Sequence, residues 1–362
     1  MSIAEQAPAY IRAISPYQPG KPISALAREM GIAEASIVKL ASNENPRGMS
    51  PKARAAVEAA LAGVERYPDQ YDLIAVLAER HGVGQDQIVL GNGSNDVLDM
   101  AARVFVAPGR SAVFAQHAFA VYPLATMSCG GECIVAPARD FGHDLSAMRA
   151  AIRPDTRLVW IANPNNPTGT FLPADELKAF LAAVPADVAV VLDEAYNEYL
   201  APADRIDTVA WVGEFPNLIV IRTFSKIYGL AGLRVGYGVA NPQMADLMNR
   251  VRQPFNVNNL ALVGAIAALD DHVFIAESFA LNRQGMEQLV AGIKRLGLEH
   301  IPSHGNFVTI AVSDGAAINQ KLLRQGVIVR PIAGYGMPNH LRVTVGLESE
   351  NVRFLEALEK CL

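Results

Sequence analysis

The sequence predicts an α/β protein, with a mostly parallel sheet covered by helices on both faces and a smaller α+β domain behind it. Three observations predict it. Short apolar segments alternate with helical ones through the middle of the chain, as in a doubly covered parallel sheet. The alternation breaks after Pro254, where two long helical stretches and then short strands take over. The chain has 362 residues, 51% of them apolar, which is enough to bury one large core and a second smaller one.

The first 40 residues read as an extended arm with a little helix, punctuated by Pro8, Pro16, Pro19, Gly20 and Pro22. Pro51 opens the Ala-rich helix PKARAAVEAALAG. Strands follow at Ile88–Leu90, Ser111–Ala115, Cys133–Ala136, Leu158–Ala162, Val188–Leu192, Leu218–Arg222 and Arg234–Val239, with helices such as Pro173–Ala183 between most of them. Beyond Pro254 come helices Leu260–Leu269 and Phe274–Leu296, then strands Phe307–Ala311, Val327–Val329 and Leu341–Val345. The expected division is an arm (1–40), a large domain (41–255) and a small domain (256–362).

Composition excludes several classes. A net charge of −5 without a basic stretch gives no footprint for nucleic acid. No apolar run is long enough to span a membrane, and the N-terminus lacks the pattern of a secretory signal. Three cysteines without C-x-x-C spacing argue against a disulfide framework or structural zinc and fit a reducing cytoplasm. The seven histidines form no metal-binding pattern; His304 and His340 read as structural or solvated.

Four motifs each close an apolar strand, at the edge where α/β proteins bind ligands. Lys226, in Thr223-Phe224-Ser225-Lys226, follows NLIVIR; desolvation there would lower its pKa and make it an amine nucleophile toward an aldehyde. Arg234, eight residues on, offers a guanidinium fork for a phosphate, with the Ser225 hydroxyl as a further donor. In VAVVLDEAYNEY, Asp193 ends a continuous apolar strand and Tyr196 follows it. A magnesium-binding reading of Asp193-Glu194 fails for want of a G-x-x-x-x-G-K-[ST] loop. A catalytic pair fails because adjacent strand residues face opposite ways.

The third motif, Asn163-Pro164-Asn165-Asn166-Pro167-Thr168-Gly169, makes a rigid turn after RLVWIA. The fourth, Gly91-Asn92-Gly93-Ser94-Asn95-Asp96, puts backbone N–H groups at a helix N-terminus, a ready anion site. It lacks the third glycine of the dinucleotide fingerprint, and Ser94 or Asn95 could equally be helix caps.

In this order the four motifs resemble those of the fold-type-I pyridoxal-phosphate-dependent transferases, specifically the aminotransferases. Flanking segments narrow the resemblance to the histidinol-phosphate aminotransferase family: Pro16-Tyr17-Gln18-Pro19-Gly20-Lys21-Pro22, Leu40-Ala41-Ser42-Asn43-Glu44-Asn45-Pro46, Arg66-Tyr67-Pro68-Asp69 and HLRVTVG. The resemblance implies pyridoxal phosphate as cofactor, held by Lys226 as a Schiff base, and a homodimer with shared active sites. It implies that Asp193 pairs with the ring nitrogen, that Asn166 and Tyr196 contact the ring oxygen, and that Phe119, in HAFAVY, stacks on the ring. Ser94, Asn95, Ser225 and Arg234 would hold the cofactor phosphate, with Tyr67 reaching it from the neighbouring subunit. Arg342 would bind the carboxylate of glutamate or 2-oxoglutarate; Tyr17 and Arg330, with Asn45, would serve the substrate, the first two at its phosphate.

Two positions depart from the family pattern: Phe119 stands where tyrosine is frequent, and Asn95 where aspartate is common. The implied reaction is ping-pong transamination between histidinol phosphate and 2-oxoglutarate. Alternatives on the same scaffold are a broad aromatic amino-acid aminotransferase and a phosphothreonine-type decarboxylase. A cofactor-binding regulator is disfavoured, because no DNA-binding module is appended.

Overall fold

The structure, a computed structural model, describes residues 2–362. Seven strands form the central sheet in the spatial order Ile88–Gly91, Gly236–Val239, Leu218–Thr223, Ala189–Asp193, Thr156–Ala162, Ser111–Ala115, Glu132–Ala136. Gly236–Val239 runs antiparallel to both its neighbours, and every other neighbouring pair is parallel. The expected mostly parallel sheet is therefore present.

The continuous apolar runs have a simple cause. Successive residues point to opposite faces, and both faces are covered. Val190 and Leu192 enter one buried cluster with Val113 and Val220; Ala189 and Val191 enter the other with Phe114, Trp160 and Ile221. Helices Ser94–Phe105, Val121–Ser128, Leu145–Ala150 and Ala174–Ala183 follow their strands as expected. Between Ala189–Asp193 and Leu218–Thr223 there is no α-helix, only short 3-10 turns.

A second, antiparallel sheet has the order His300–Ile301, Phe307–Ala311, Met337–Thr344, Arg330–Ile332. Two expected strands need correction. Val327–Val329 is one residue shorter and lies outside this sheet: Val327–Ile328 pairs in parallel with Val38–Lys39 of the arm, and the chain changes partner before Arg330–Ile332 joins Met337–Thr344. The strand expected from Arg234 starts at Gly236, because Arg234 has a left-handed backbone with φ 59°. Among the described residues no single helix is long and apolar enough to cross a membrane.

Beneath the carboxyl edge of the central sheet, Glu194 and Arg222 form a buried pair at 2.9 Å. Thr208 Oγ1 also donates to Glu194, at 2.8 Å. Burial raises the Glu194 pKa while Arg222 opposes it. Removing one partner strands a buried charge, which costs about 3–5 kcal/mol, whereas removing both costs far less. Arg222→Leu should thus lower the unfolding free energy by roughly that amount in denaturant titration, and Glu194→Leu added to it should recover most of the loss.

Candidate active site

One register gathers the site. Gly236 lies opposite Gly91 on one side and Thr223 on the other. The antiparallel strand thereby brings Arg234, just before it, to the same edge as the Gly93–Asn95 turn and the Ser225–Lys226 loop. The parallel neighbours deliver Asp193 and the Asn163–Gly169 turn to that edge as well. A cavity of about 190 Å³ opens there, closed from the other side by Tyr17, Ala41–Asn43, Arg330, Tyr335 and Arg342.

At one end is a cradle for an anion. Helix Ser94–Phe105 begins after Gly93, which has φ 79° and no side chain to cap the first N–H groups. Gly93, not Ser94 or Asn95, therefore occupies the cap position. A Cβ on Gly93 would sit 2.2 Å from Arg234 Nη2, so only glycine lets the guanidinium reach the helix end. Arg234 Nη1 donates to Ala231 O at 3.0 Å and reaches Ser225 Oγ at 3.4 Å. Helix N–H groups, two hydroxyls and a guanidinium converge where a phosphate would be held.

At the centre stands Asp193, 5% exposed. Tyr122 Oη donates to it at 2.9 Å and Ala195 N at 3.2 Å. Burial pushes its pKa up to about 6 against these hydrogen bonds. A buried carboxylate facing a cavity without a cation in contact is suited to a cationic ring nitrogen. Glu194 points the other way, into the Arg222 pair, as strand alternation requires.

Lys226 Nζ donates to Ser42 O at 3.2 Å. Burial, and then the nearby Arg342 charge, bring its pKa down to about 8 against the pull of Glu44 and Asp193. Arg342 is 6% exposed; Nη1 donates to Asn166 Oδ1 at 2.5 Å, Nη2 donates to Ala41 O at 2.7 Å, and Nε has no partner. A guanidinium only donates, so it turns the Asn166 oxygen toward itself and the Asn166 NH2 toward the cavity. Arg330 Nη2 donates to Gln18 O at 2.7 Å and to Tyr17 Oη at 3.3 Å, its guanidinium 5.4 Å from the Tyr17 ring centre. All these arginine partners are neutral, which leaves the positive charges available to an incoming anion.

The structure thus brings Tyr17, Ser94, Asn95, Phe119, Asn166, Asp193, Tyr196, Ser225, Lys226, Arg234, Arg330 and Arg342 around one cavity. It does not bring Asn45 or Tyr67 there. Asn45 Nδ2 donates to Ile227 O and Ser278 Oγ, and its Oδ1 accepts from Arg47 N. Its amide is engaged with the backbone beside Lys226 and with Ser278, so it positions that loop and does not line the cavity. Tyr67 is 80% exposed and stacks on Phe255 at 4.5 Å. Sequence reasoning missed Tyr122, Asn43 and Tyr335. Tyr122 lies three residues past Phe119 within HAFAVY, at the start of helix Val121–Ser128, and its nearness to that segment is the one signal the sequence held.

Residues 35–358 match the family described as Aminotransferase class I and II. Histidinol-phosphate aminotransferase 1 of Dechloromonas aromatica is 74% identical over 362 residues, covering 100% of both chains. Histidinol-phosphate aminotransferase 2 of Nitrosospira multiformis is 63% identical, over 99% of this chain and 92% of that protein. The crystal structure of histidinol-phosphate aminotransferase from Sinorhizobium meliloti in complex with pyridoxal-5'-phosphate superposes with a TM-score of 0.90 at 28% identity, covering 98% of this chain and 96% of that one. The chain belongs to the class I and II aminotransferases. Its fold is that of the fold-type-I pyridoxal-phosphate enzymes.

The lysine pKa gives a direct test. A pKa near 8 leaves Lys226 about half neutral at pH 8, where an ordinary lysine is roughly one part in three hundred neutral. In cofactor-free protein, trapping of a small aromatic aldehyde on Lys226 by cyanoborohydride should therefore reach half its limiting rate near pH 8. A half-point near 10 would contradict the burial argument.

Proposed function

We propose that the chain is a histidinol-phosphate aminotransferase of histidine biosynthesis, using pyridoxal phosphate to exchange an amino group between histidinol phosphate and 2-oxoglutarate. The products are imidazole acetol phosphate and glutamate. What carries this reading is the 74% identity to the Dechloromonas protein of that name over every residue of both chains. The three cysteines are free, which agrees with work in the cytoplasm.

The donor set fits the cofactor. The cradle that a Cβ at Gly93 would fill suits its phosphate, held by Ser94, Asn95, Ser225 and Arg234. Asp193 suits its ring nitrogen, the Asn166 amide and Tyr196 hydroxyl its ring oxygen, and Phe119 one ring face. When bound, pyridoxal phosphate supplies an aldehyde for amines and a ring that spreads the electrons of the breaking Cα–H bond. With the cofactor in place, Lys226 Nζ would be the amine that holds it and the base for the Cα proton of the amino donor. Its lowered pKa keeps a useful fraction neutral near pH 7. Asp193, with a pKa of about 6, is mostly ionised at that pH and offers the charge a ring N–H needs. Tyr122 and Ala195 hold that carboxylate in place.

Arg342, buried and lacking an acidic partner, grips the α-carboxylate of glutamate. Arg330 and Tyr17 grip the substrate phosphate. A charged hydrogen bond to a phosphate contributes about 1.5–3 kcal/mol, or roughly one to two orders of magnitude in kcat/KM. Wild-type protein given histidinol phosphate and 2-oxoglutarate should form glutamate, and faster than with phenylalanine as donor. Arg330→Ala should lower kcat/KM for histidinol phosphate by about ten- to a hundredfold and leave phenylalanine nearly unaffected. Equal losses, or a wild type that prefers phenylalanine, would instead make this a broad aromatic aminotransferase.

The working unit in this reading is a homodimer whose Tyr67 completes the phosphate cradle of the partner. Tyr67 and Phe255 together expose an aromatic surface that their own chain leaves uncovered, which supports the reading. Lys226→Ala and Tyr67→Ala chains, each impaired alone, should regain activity when mixed, since every hybrid holds one complete site. No recovery in verified hybrids would rule out the shared site.

A further inference from the structure

We propose that Asn43 is a positioning residue: it aims the Tyr196 hydroxyl into the cavity and couples that hydroxyl to Arg342, the arginine that grips the substrate carboxylate. The coupling rests on the carboxylate role of Arg342 set out above; the aiming rests on geometry alone.

Asn43 is 1% exposed and takes a left-handed backbone, φ 56°. Neighbours hold it on three sides. Its N–H donates to Thr344 Oγ1 at 2.9 Å, the Thr344 hydroxyl donates back to Asn43 Oδ1 at 3.0 Å, and Asn306 Nδ2 donates to Asn43 O at 3.0 Å. The threonine fixes which way the amide lies. Its oxygen already accepts the Asn43 N–H, so its single proton seeks an acceptor and finds Oδ1. The Asn43 NH2 is therefore turned to Tyr196 Oη, to which it donates at 2.9 Å. A phenol oxygen that receives an N–H must send its own proton elsewhere. Among the described residues Asn43 is the one hydrogen-bond partner of Tyr196 Oη, and both residues line the cavity. The proton is left to point into it.

The same three-residue strap touches each reacting group. Ala41 O accepts from Arg342 Nη2, Ser42 O accepts from Lys226 Nζ, and Asn43 donates to Tyr196. The strap is also pinned to the strand that carries Arg342: Thr344 N donates to Leu40 O at 2.9 Å, and Thr344 lies two residues beyond Arg342 on the same face. An anion that draws Arg342 toward itself loads Ala41 O directly and Asn43 through Thr344. The setting of Tyr196 and Lys226 therefore responds to occupancy of the carboxylate pocket.

The test uses cofactor-loaded protein and the pH midpoint of its visible absorption, with and without saturating succinate, a dicarboxylate that carries no amine. In wild type, succinate should move the midpoint. Asn43→Ala should shift the midpoint without succinate by about one pH unit, the scale of one lost hydrogen bond, and should reduce the succinate response to the part carried by the direct Arg342–Asn166 contact. Thr344→Val keeps the side-chain shape, removes the lock on the amide, and should reproduce both effects in part; it decides the matter if Asn43→Ala does not fold. A residue that merely stabilised the turn would lower Tm and leave the titration alone. A wild-type midpoint and succinate response in either folded variant overturns the proposal while leaving the aminotransferase reading intact. A wild type indifferent to succinate removes the carboxylate role of Arg342, and the coupling falls with it.

Discussion

Four basic side chains face one cavity that holds a single carboxylate. Lys226, Arg234, Arg330 and Arg342 line it with Asp193. Positive charges gathered in a low-dielectric site are costly unless something neutralises them. The fold does not do so with acids. It gives each base neutral oxygen partners, the carbonyls of Ser42, Ala231, Gln18 and Ala41, the hydroxyls of Ser225 and Tyr17, and the Asn166 amide. These partners orient the bases and leave their charge uncancelled. The depressed pKa of Lys226 is one result, since the Arg342 charge adds to burial. Affinity for a doubly anionic cofactor and an anionic substrate is the other.

That arrangement dictates where the backbone goes. Carbonyls that face side chains cannot also serve a strand ladder, so the strap at Ala41–Asn43 leaves the pairing with Val327–Ile328 after Lys39. The Arg234 backbone turns left-handed before its strand begins. The carboxylates that might have quenched the cavity are used elsewhere. Glu194 is paired with Arg222 below the sheet, and Asp96 accepts from Asn92 N and Asn256 Nδ2 outside the cavity. Only Asp193 is admitted, and Tyr122 keeps it in place.

Much of this was legible in the sequence because the sheet repeats one operation. An apolar run must be a buried strand, and a polar residue at its end must sit at the sheet edge. That logic reached Asp193, the Asn163–Gly169 turn, Ser94 and Lys226 from single segments. It failed where position depends on two distant segments. Val327–Val329 looks like one strand, yet its pairing partner is set by the arm. Asn45 and Asn43 look equivalent in LASNENP. Only the docking of Thr344 and Ile227 sends one amide to Tyr196 and the other to the backbone beside Lys226. Tyr67 is an exposed ring within its own chain, so only the family resemblance, and not the strand logic, gives it a target.

The two substrate-side arginines lie opposite each other on adjacent strands, yet their surroundings differ. Arg342 is buried, and two of its three nitrogens are fixed by an amide and a carbonyl. Its Nε–H is buried without a partner. Arg330 is more open and rests against a tyrosine ring and the Gln18 carbonyl of the arm. Both partners are neutral, so its guanidinium keeps its charge for an anion. A transaminase that takes two unlike partners in turn needs this asymmetry. In the proposed reaction Arg342 can anchor only glutamate and 2-oxoglutarate, because histidinol phosphate carries no α-carboxylate. Arg330 is the anchor that both partners of the proposed reaction can share, through a phosphate in one and a side-chain carboxylate in the other, which end at different distances from the reacting carbon.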